Sequence, residues 1–183
     1  MKHVSFFETG QGRGAVVATE NGVCRVCLSA DDADDLLAQA GLDRLSPSAL
    51  TEQVSRMLMQ YFKGEQQPFD TVTLDYTVSG EFRRRILESI RCIPFGEVRS
   101  YGEVAAAAGA PGAARAVGGA MASNPVPIII PCHRVVAGNG RLTGYTARGG
   151  LFMKKLILQL EGVEFEGELV RKKKVGYKQA KLA

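Results

Sequence analysis

Two short helical segments joined by a glycine-rich turn constrain the fold of this 183-residue chain more than any other feature. Residues Ser100–Glu103 have the S-x-x-E pattern of a capping box, which predicts a helix over Tyr101–Ala108. The residues Gly109–Gly112 predict a turn, and a second helix is predicted over Ala113–Ser123 before Asn124-Pro125 ends it. Two short helices joined in this way predict a helix-turn-helix.

The second of these helices carries almost no long side chains. Gly118 and Gly119 lie in its interior, where each glycine costs about 1 kcal/mol relative to alanine. Arg115 is its one long polar residue. Composition alone supports two interpretations equally: tight packing against a neighbouring helix, or a helix laid against a DNA backbone with Arg115 reaching into the duplex.

The first part of the chain predicts a small mixed domain with an antiparallel sheet. Three strands separated by Gly-rich or Asn-Gly turns are predicted, and a helix is predicted over Ser48–Phe62 after Pro47. The strands lie around Val4–Glu8, Ala15–Thr19 and Val23–Leu28. Cys24 and Cys27 form a CxxC pattern within the third strand, but residues i and i+3 of a strand face opposite sides. The pattern therefore does not predict a shared metal ion.

The rest of the chain predicts a helical domain around the helix-turn-helix. Ser79 is expected to cap a helix that runs through Ile90, an apolar strand is predicted over Val126–Ile130, and a last helix over Leu151–Glu161. The predicted class is α+β: a small N-terminal α/β domain with an antiparallel sheet plus a C-terminal helical domain with a winged helix-turn-helix. The expected boundaries give domains 1–76 and 77–168 and a basic tail, 169–183.

Composition and charge narrow the class of protein without identifying a partner. The net charge is +4, and much of the excess lies in the last dozen residues, which we interpret as a solvated tail. A mildly basic balance is compatible with nucleic acid but does not indicate it. The longest apolar stretch, Val126–Pro131, is too short to span a bilayer, and the N-terminus lacks the apolar run of a signal peptide. We expect a cytoplasmic protein, or a nuclear one in a eukaryote.

Cys132 and His133 are the residues that point most directly to chemistry. A thiolate is a strong nucleophile, and a nearby imidazole can take its proton. A Cys-His dipeptide by itself is more often structural. The proline before it and the helix-turn-helix upstream favour a catalytic role without deciding it.

The segment Pro131–Val135 resembles the active-site motif of the O6-alkylguanine-DNA alkyltransferases. The resemblance covers residues 82 to 162 in order; it includes Ile93–Tyr101, Ala114–Met121, Asn124-Pro125 with Pro127, Gly144-Tyr145 and Leu160–Gly162. It implies a DNA repair protein that moves an alkyl group from O6-alkylguanine irreversibly to its own cysteine. Because a thioether is not easily cleaved, each molecule would act once, and no cofactor is implied. The implied partner is double-stranded DNA that contains the lesion, bound by a monomer.

The resemblance assigns a catalytic role to each of five residues. Cys132 would accept the alkyl group, His133 would act as its base through a water, and Glu161 would polarise His133. Asn124 would hydrogen-bond the backbone near the active site. Tyr101 would donate towards the leaving guanine, so that negative charge need not build up on the base.

The resemblance also implies contacts with DNA and with a flipped base. The target carbon lies inside the base stack, so the nucleotide must be extruded, and Arg115 would fill the gap. The other candidates for these contacts are Ser100, Ala114, Ala116, Gly118, Met121, Pro127, Val135, Tyr145 and Thr146. The loop Thr146–Gly150 is about two residues longer than the family's. The zinc site of some family members would need histidines that the N-terminal domain lacks, so we expect no structural zinc.

Three other classes of protein fit parts of this pattern. An alkyltransferase-like protein would bind lesions without repairing them, but that group lacks the reactive cysteine. A helix-turn-helix transcription factor would read bases with the second helix, which offers few side chains for this. A Cys-His hydrolase fits least.

Overall fold

The computed structural model describes residues 1–30, 33–77, 80–145 and 149–171 of the chain. The chain forms two compact units. One comprises Met1–Val78 with Pro125–Ile129, and the other comprises Ser79–Asn124 with Ile130–Ala183. Along the described residues, no helix combines the length and apolar character needed to cross a membrane.

The first unit is built on a three-stranded antiparallel sheet. Its elements are strands β1 (His3–Thr9), β2 (Gly12–Thr19) and β3 (Gly22–Ala30) and helices α1 (Ala33–Ala40) and α2 (Ala49–Tyr61). Strand β2 is central, and both helices pack against the sheet. The three predicted strands and the helix after Pro47 are confirmed. Helix α1 was not predicted, because eight residues show no clear period; burial of Leu36 and Ala40 in the core stabilises it.

Gly22 closes the hairpin between β2 and β3. It pairs with Thr19, as the Asn21-Gly22 pattern predicts. The φ angle of Gly22 is 136°, and a Cβ atom there would lie 2.6 Å from the carbonyl oxygen of Thr73. A side chain is therefore excluded both by the backbone conformation and by the segment packed against the turn.

Cys24 and Cys27 both lie on β3, as predicted. Cys27 is buried in the core of the first unit, and the Cys24 thiol donates to the Val17 carbonyl oxygen at 3.5 Å. Burial raises the pKa of both thiols. Among the described residues, no three His, Cys, Asp or Glu side chains are grouped so that they could hold a metal ion.

The second unit contains the helix-turn-helix. Its elements are α3 (Glu81–Arg91), β4 (Arg99–Ser100), α4 (Tyr101–Ala107), α5 (Ala114–Ala122), β5 (Val135–Val136), α6 (Gly150–Leu160), β6 (Phe165–Glu166) and β7 (Leu169–Val170). Helices α3, α4 and α5 pack against one another, and residues 108–113 connect α4 to α5. The predicted helix-turn-helix and the α+β class are confirmed.

Ser100 caps helix α4 as the sequence predicts. Its hydroxyl accepts a hydrogen bond from the backbone N–H of Glu103 at 3.2 Å, and the Glu103 carboxylate accepts one from the Ser100 backbone N–H at 2.6 Å. The N-cap residue of α3 is Gly80, which provides no side-chain cap. The predicted cap, Ser79, lies outside the described residues.

The predicted strand over Val126–Ile130 is wrong. These residues form no continuous strand, and the backbone turns at Ile128, whose φ angle is 72°. Left-handed backbone is rare for a β-branched residue. Pro127 also lacks the N–H that a strand ladder needs. The apolar character of the segment reflects burial of its isoleucines rather than a β-sheet.

Strands β4 and β5 bring two distant parts of the second unit side by side. They pair in parallel, with Arg99 opposite Val135 and Ser100 opposite Val136. Strand β4 leads directly into α4, and β5 directly follows Cys132–Arg134. This short ladder therefore holds the first residue of α4 beside the Cys-His turn.

Candidate active site

Residues Cys132–Arg134 form one 3-10 turn between Pro131 and strand β5. The Cys132 N–H donates to the Ile130 carbonyl oxygen at 2.8 Å, and the Arg134 N–H donates to that of Pro131 at 2.9 Å. With about three residues per turn, consecutive side chains point in different directions. Cys132, His133 and Arg134 are all buried, so the turn places a thiol, an imidazole and a guanidinium in three neighbouring environments.

His133 is held by Glu161. The imidazole Nε2 lies 2.9 Å from a Glu161 carboxylate oxygen, and neither side chain is exposed. An ionised carboxylate only accepts hydrogen bonds, so Nε2 carries the proton and Nδ1 is the nitrogen that can act as a base. Burial lowers the pKa of His133, although Glu161 opposes this effect. The ring is therefore a neutral base at physiological pH.

Glu161 ends helix α6, and its buried carboxylate is held in the ionised form by its neighbours. It is the C-cap residue of α6, and its carboxylate accepts hydrogen bonds from Nε of Arg134 at 2.9 Å and from Nη2 at 2.8 Å. Burial alone would raise the pKa of Glu161, but His133 and Arg134 outweigh burial and hold it well below its usual range. The carboxylate is thus ionised throughout the physiological range.

Arg134 links this carboxylate to the turn that follows α3. Its Nη1 donates to the carbonyl oxygen of Ile93 at 2.6 Å, and its guanidinium lies over the Phe95 ring, 5.8 Å from the centroid. The Gly96 N–H donates to Glu161 at 3.2 Å. A Cβ atom on Gly96, whose φ is 74°, would lie 2.8 Å from the Glu161 carbonyl oxygen. The Ile93–Gly96 turn therefore forms a close-fitting support for Glu161.

Asn124 ties the chain before the turn to the cysteine. Its side-chain N–H donates to the Ile130 carbonyl oxygen at 2.9 Å. Burial raises the pKa of Cys132, whereas a hydrogen bond from Asn124 and the charge of Lys154 favour the thiolate. The sequence predicts a thiol whose proton a nearby imidazole can take. In the structure, burial opposes ionisation and these two neighbours partly offset it.

Tyr101 begins α4 and contacts the segment that leads to Tyr145. Its hydroxyl donates to the Thr143 carbonyl oxygen at 3.3 Å. The φ angle of Gly144 is 53°, and a Cβ atom there would lie 2.6 Å from the Tyr101 oxygen. Glycine at this position therefore permits the close approach. Burial and the nearby Cys132 raise the pKa of Tyr145 far above its usual value, so its hydroxyl stays neutral.

Lys154 is a buried residue near the site that sequence reasoning missed. Its ammonium donates to the carbonyl oxygens of Val135 and Thr143, each at 2.6 Å. Burial lowers the pKa of Lys154 to about 8, an effect that Cys132 opposes. A signal was available, because Lys154 shares the buried stripe of α6 with Ile157 and Leu158 at helical spacing.

Known proteins share the domain that contains these residues. Residues 81–163 match the family model for the 6-O-methylguanine DNA methyltransferase DNA binding domain. A methylated-DNA–protein-cysteine methyltransferase of Mycobacterium tuberculosis is 49% identical over 115 residues, which are 63% of this chain and 67% of that protein. A crystal structure of the M. tuberculosis O6-methylguanine methyltransferase superposes with a TM-score of 0.71 at 36% identity, covering 88% of this chain and 93% of that one.

The chain belongs to the O6-methylguanine-DNA methyltransferase family. A relative from Mycolicibacterium paratuberculosis is 54% identical, but the match spans only 59% of that protein's length and 55% of this chain. The structure of M. tuberculosis OGT in complex with DNA superposes with a TM-score of 0.69 at 35% identity and covers 87% of this chain and 92% of that one.

Within the family domain, helix α5 is as bare as its sequence suggests. Arg115 is exposed, whereas Val117, Ala120 and Met121 pack inwards. A Cβ atom on Gly119 would meet no heavy atom of the described residues within 4 Å, and one on Gly118 would meet only Tyr101, at 3.9 Å. Among the described residues, internal packing therefore requires neither glycine.

The remaining candidates fall in several places. Ser100 and Val135 are neighbours of the site through the β4–β5 ladder, and Ala114 and Ala116 lie in the first turns of α5 beside Arg115. Pro127 belongs to the first unit. Thr146 lies outside the described residues.

Proposed function

We propose that this chain repairs O6-alkylguanine in DNA by transferring the alkyl group to the Cys132 sulfur. The observation that carries the proposal is the buried chain of contacts from the Cys132–His133 turn through Glu161 to Arg134. It orients a neutral imidazole on the residue next to a thiol. The name of the relatives, methylated-DNA–protein-cysteine methyltransferase, supports the same reaction.

The reaction divides into a proton transfer and a displacement. Nδ1 of His133 receives the Cys132 proton through a water, and Glu161 stabilises the imidazolium that forms. The thiolate then attacks the alkyl carbon, a sulfur–carbon bond forms, and the bond between that carbon and O6 breaks. The electron pair goes to the guanine, which takes a proton from the Tyr101 hydroxyl, and the proton held by the His133 imidazolium replaces the one that the tyrosine loses. The products are unmodified guanine and S-alkylcysteine, so each molecule reacts once.

The DNA contacts follow from helix α5. The carbon to be attacked lies within the base stack, so the nucleotide must leave double-stranded DNA, and the exposed Arg115 fills the gap. Gly118 and Gly119 let the duplex approach the backbone of α5 closely. Tyr145, the Val135 backbone and Met121 contact the flipped base. The protein acts as a monomer where DNA is found, in the cytoplasm or in a nucleus.

Intact-mass spectrometry tests the reaction directly. After mixing with a duplex that contains one O6-methylguanine, the protein should gain one methyl group, mapped by proteolysis to Cys132. Cys132→Ser should gain none and still bind the duplex, whereas Cys92→Ser, which changes an exposed cysteine, should react like the original chain. No mass gain in the original chain, or a gain retained in Cys132→Ser, contradicts the proposal.

A further inference from the structure

The ammonium of Lys154 occupies an unusual electrostatic position. Its side chain is 0% exposed, and both of its hydrogen-bond acceptors are neutral carbonyl oxygens. No carboxylate among the described residues forms an ion pair with it. Buried charges in proteins are ordinarily paired. A lysine left without an anion in the core therefore indicates that an anion forms nearby at some stage of the protein's work.

Cys132 is the group that can become this anion. The charges of Lys154 and Cys132 act on each other: Lys154 favours the thiolate, and the thiolate favours the ammonium. Lys154 also disfavours the imidazolium form of His133. A positive charge at this point therefore stabilises the reactive sulfur and keeps the base neutral before it takes the proton.

The two carbonyl groups held by Lys154 belong to two different sides of the site. Val135 directly follows the Cys132–Arg134 turn. The Thr143 carbonyl oxygen accepts from the Tyr101 hydroxyl as well as from Lys154, and it directly precedes Gly144. One ammonium thus ties the strand after the nucleophile to the segment that positions the tyrosine.

We propose that Lys154 is a positioning residue that acts on both partners of the transfer, because its charge stabilises the Cys132 thiolate and its hydrogen bonds fix Tyr101 through Thr143. This role rests on the proposed alkyl transfer. It adds a residue of α6 to the machinery, and it explains why a charge is retained at a core position of that helix.

Alkylation by iodoacetamide tests whether the charge of Lys154 stabilises the Cys132 thiolate. This small reagent reacts with the thiolate and does not need to bind in a base pocket. The pH midpoint for alkylation of Cys132 should rise by about one unit or more in Lys154→Gln and Lys154→Met, which lowers the rate about tenfold at a pH below both midpoints. Lys155→Met, which changes the neighbouring half-buried lysine beside Phe165, should leave the midpoint unchanged. An unchanged midpoint in both Lys154 variants overturns the proposal.

A double-mutant cycle tests the geometric half. Repair of O6-methylguanine DNA should slow in Tyr101→Phe and in Lys154→Gln, and Tyr101→Phe should have a smaller effect in the Lys154→Gln background. Fully additive losses show that Lys154 does not act through Tyr101. If the original chain alkylates with iodoacetamide but takes no methyl group from DNA, the proposed function fails, while the alkylation profiles still decide the role of Lys154.

A measurement that leaves Lys154 in place covers the case in which its variants do not fold. In protein labelled with carbon-13 at the lysine ε positions, Cys132→Ser removes the anion that supports the ammonium. The titration midpoint of Lys154 should then fall relative to the original chain, and that of Lys155 should not. Equal midpoints for Lys154 in both proteins overturn the proposal.

Discussion

The Cys132–Arg134 turn and helix α5 belong to the same unit but use side chains in opposite ways. Around the turn, buried side chains hold one another, and Glu161 alone accepts hydrogen bonds from His133, Arg134 and Gly96. Helix α5 presents alanines, two glycines and the exposed Arg115.

This difference reflects two kinds of task. Proton transfer and displacement need groups held within a few tenths of an ångström, so the turn is buried, and Glu161 and Arg134 are each held by several hydrogen bonds. In the proposed function, approach to a DNA backbone needs unoccupied space, which the two glycines of α5 would provide although they cost stability. A substitution in the turn should therefore change the free energy of unfolding and the repair rate together. A substitution in α5 should weaken DNA binding without a matching loss of stability.

Removal of Glu161 should have the largest effect. Glu161→Ala leaves His133 and Arg134 buried without their acceptor, so we expect the free energy of unfolding to fall by about 3–5 kcal/mol. Repair activity should be lost at the same time. Glu164→Ala, which removes an exposed carboxylate paired with Arg171, should cost about 0–1 kcal/mol. Urea unfolding of both variants measures the contrast, and similar losses would show that the turn is not held as described.

Arg115→Ala should slow transfer from a lesion in duplex DNA more than transfer from the free modified base. Without the side chain that fills the gap, transfer from O6-methylguanine in a duplex should slow by about tenfold or more, since flipping costs a few kcal/mol. Transfer from the free modified base should change little, because no duplex must be opened. Single-turnover rates on both substrates provide the measurement. Equal losses on the two substrates would remove Arg115 from base flipping.

The buried imidazole should make stability depend on pH. Burial holds the pKa of His133 below its ordinary value of 6.5, so the unfolded chain takes up this proton first as the pH falls. The contribution of the neutral His133 side chain to the free energy of unfolding is therefore complete above about pH 7 and is lost on acidification.

Between pH 7 and pH 5 the free energy of unfolding should fall by about 1 kcal/mol or more, and by less in His133→Gln. His3→Gln, a change to the chain's other histidine, should keep the original slope. Urea titrations at several pH values measure the slopes. A His133→Gln slope equal to the original would mean that the pKa of the His133 imidazole is the same in the folded and the unfolded chain.

Gly119→Ala should give the smallest and most selective effect. A Cβ atom there meets no described heavy atom within 4 Å, so helix propensity should raise the free energy of unfolding by about 0.5–1 kcal/mol. DNA binding should weaken, because the added methyl group would lie where we propose that the duplex approaches. Reaction with the free base should be unchanged, which thermal unfolding and a binding titration can establish together. A more stable variant with undiminished DNA binding would show that Gly119 does not face DNA.

Much of the fold followed from local patterns. The hairpin at Gly22, the capping box at Ser100 and the amphipathic helices depend on nearest neighbours in sequence, so their elements were predicted within a few residues. The segment Val126–Ile130 was not, because a buried apolar run looks the same in a strand and in a turn that packs its isoleucines. The short helix α1 depends on burial against the sheet, which no local pattern expresses.

The amino-acid sequence by itself determined which chemical groups are available: a thiol beside an imidazole, a glutamate at the end of the last helix, and a helix with few long side chains. Only the tertiary structure decided that Arg134 and Gly96 fix Glu161, and that Lys154 joins Val135 to Thr143. The physical reason is that burial and hydrogen-bond geometry connect residues far apart in the chain. Those connections set the charge of each group, and residue type alone does not.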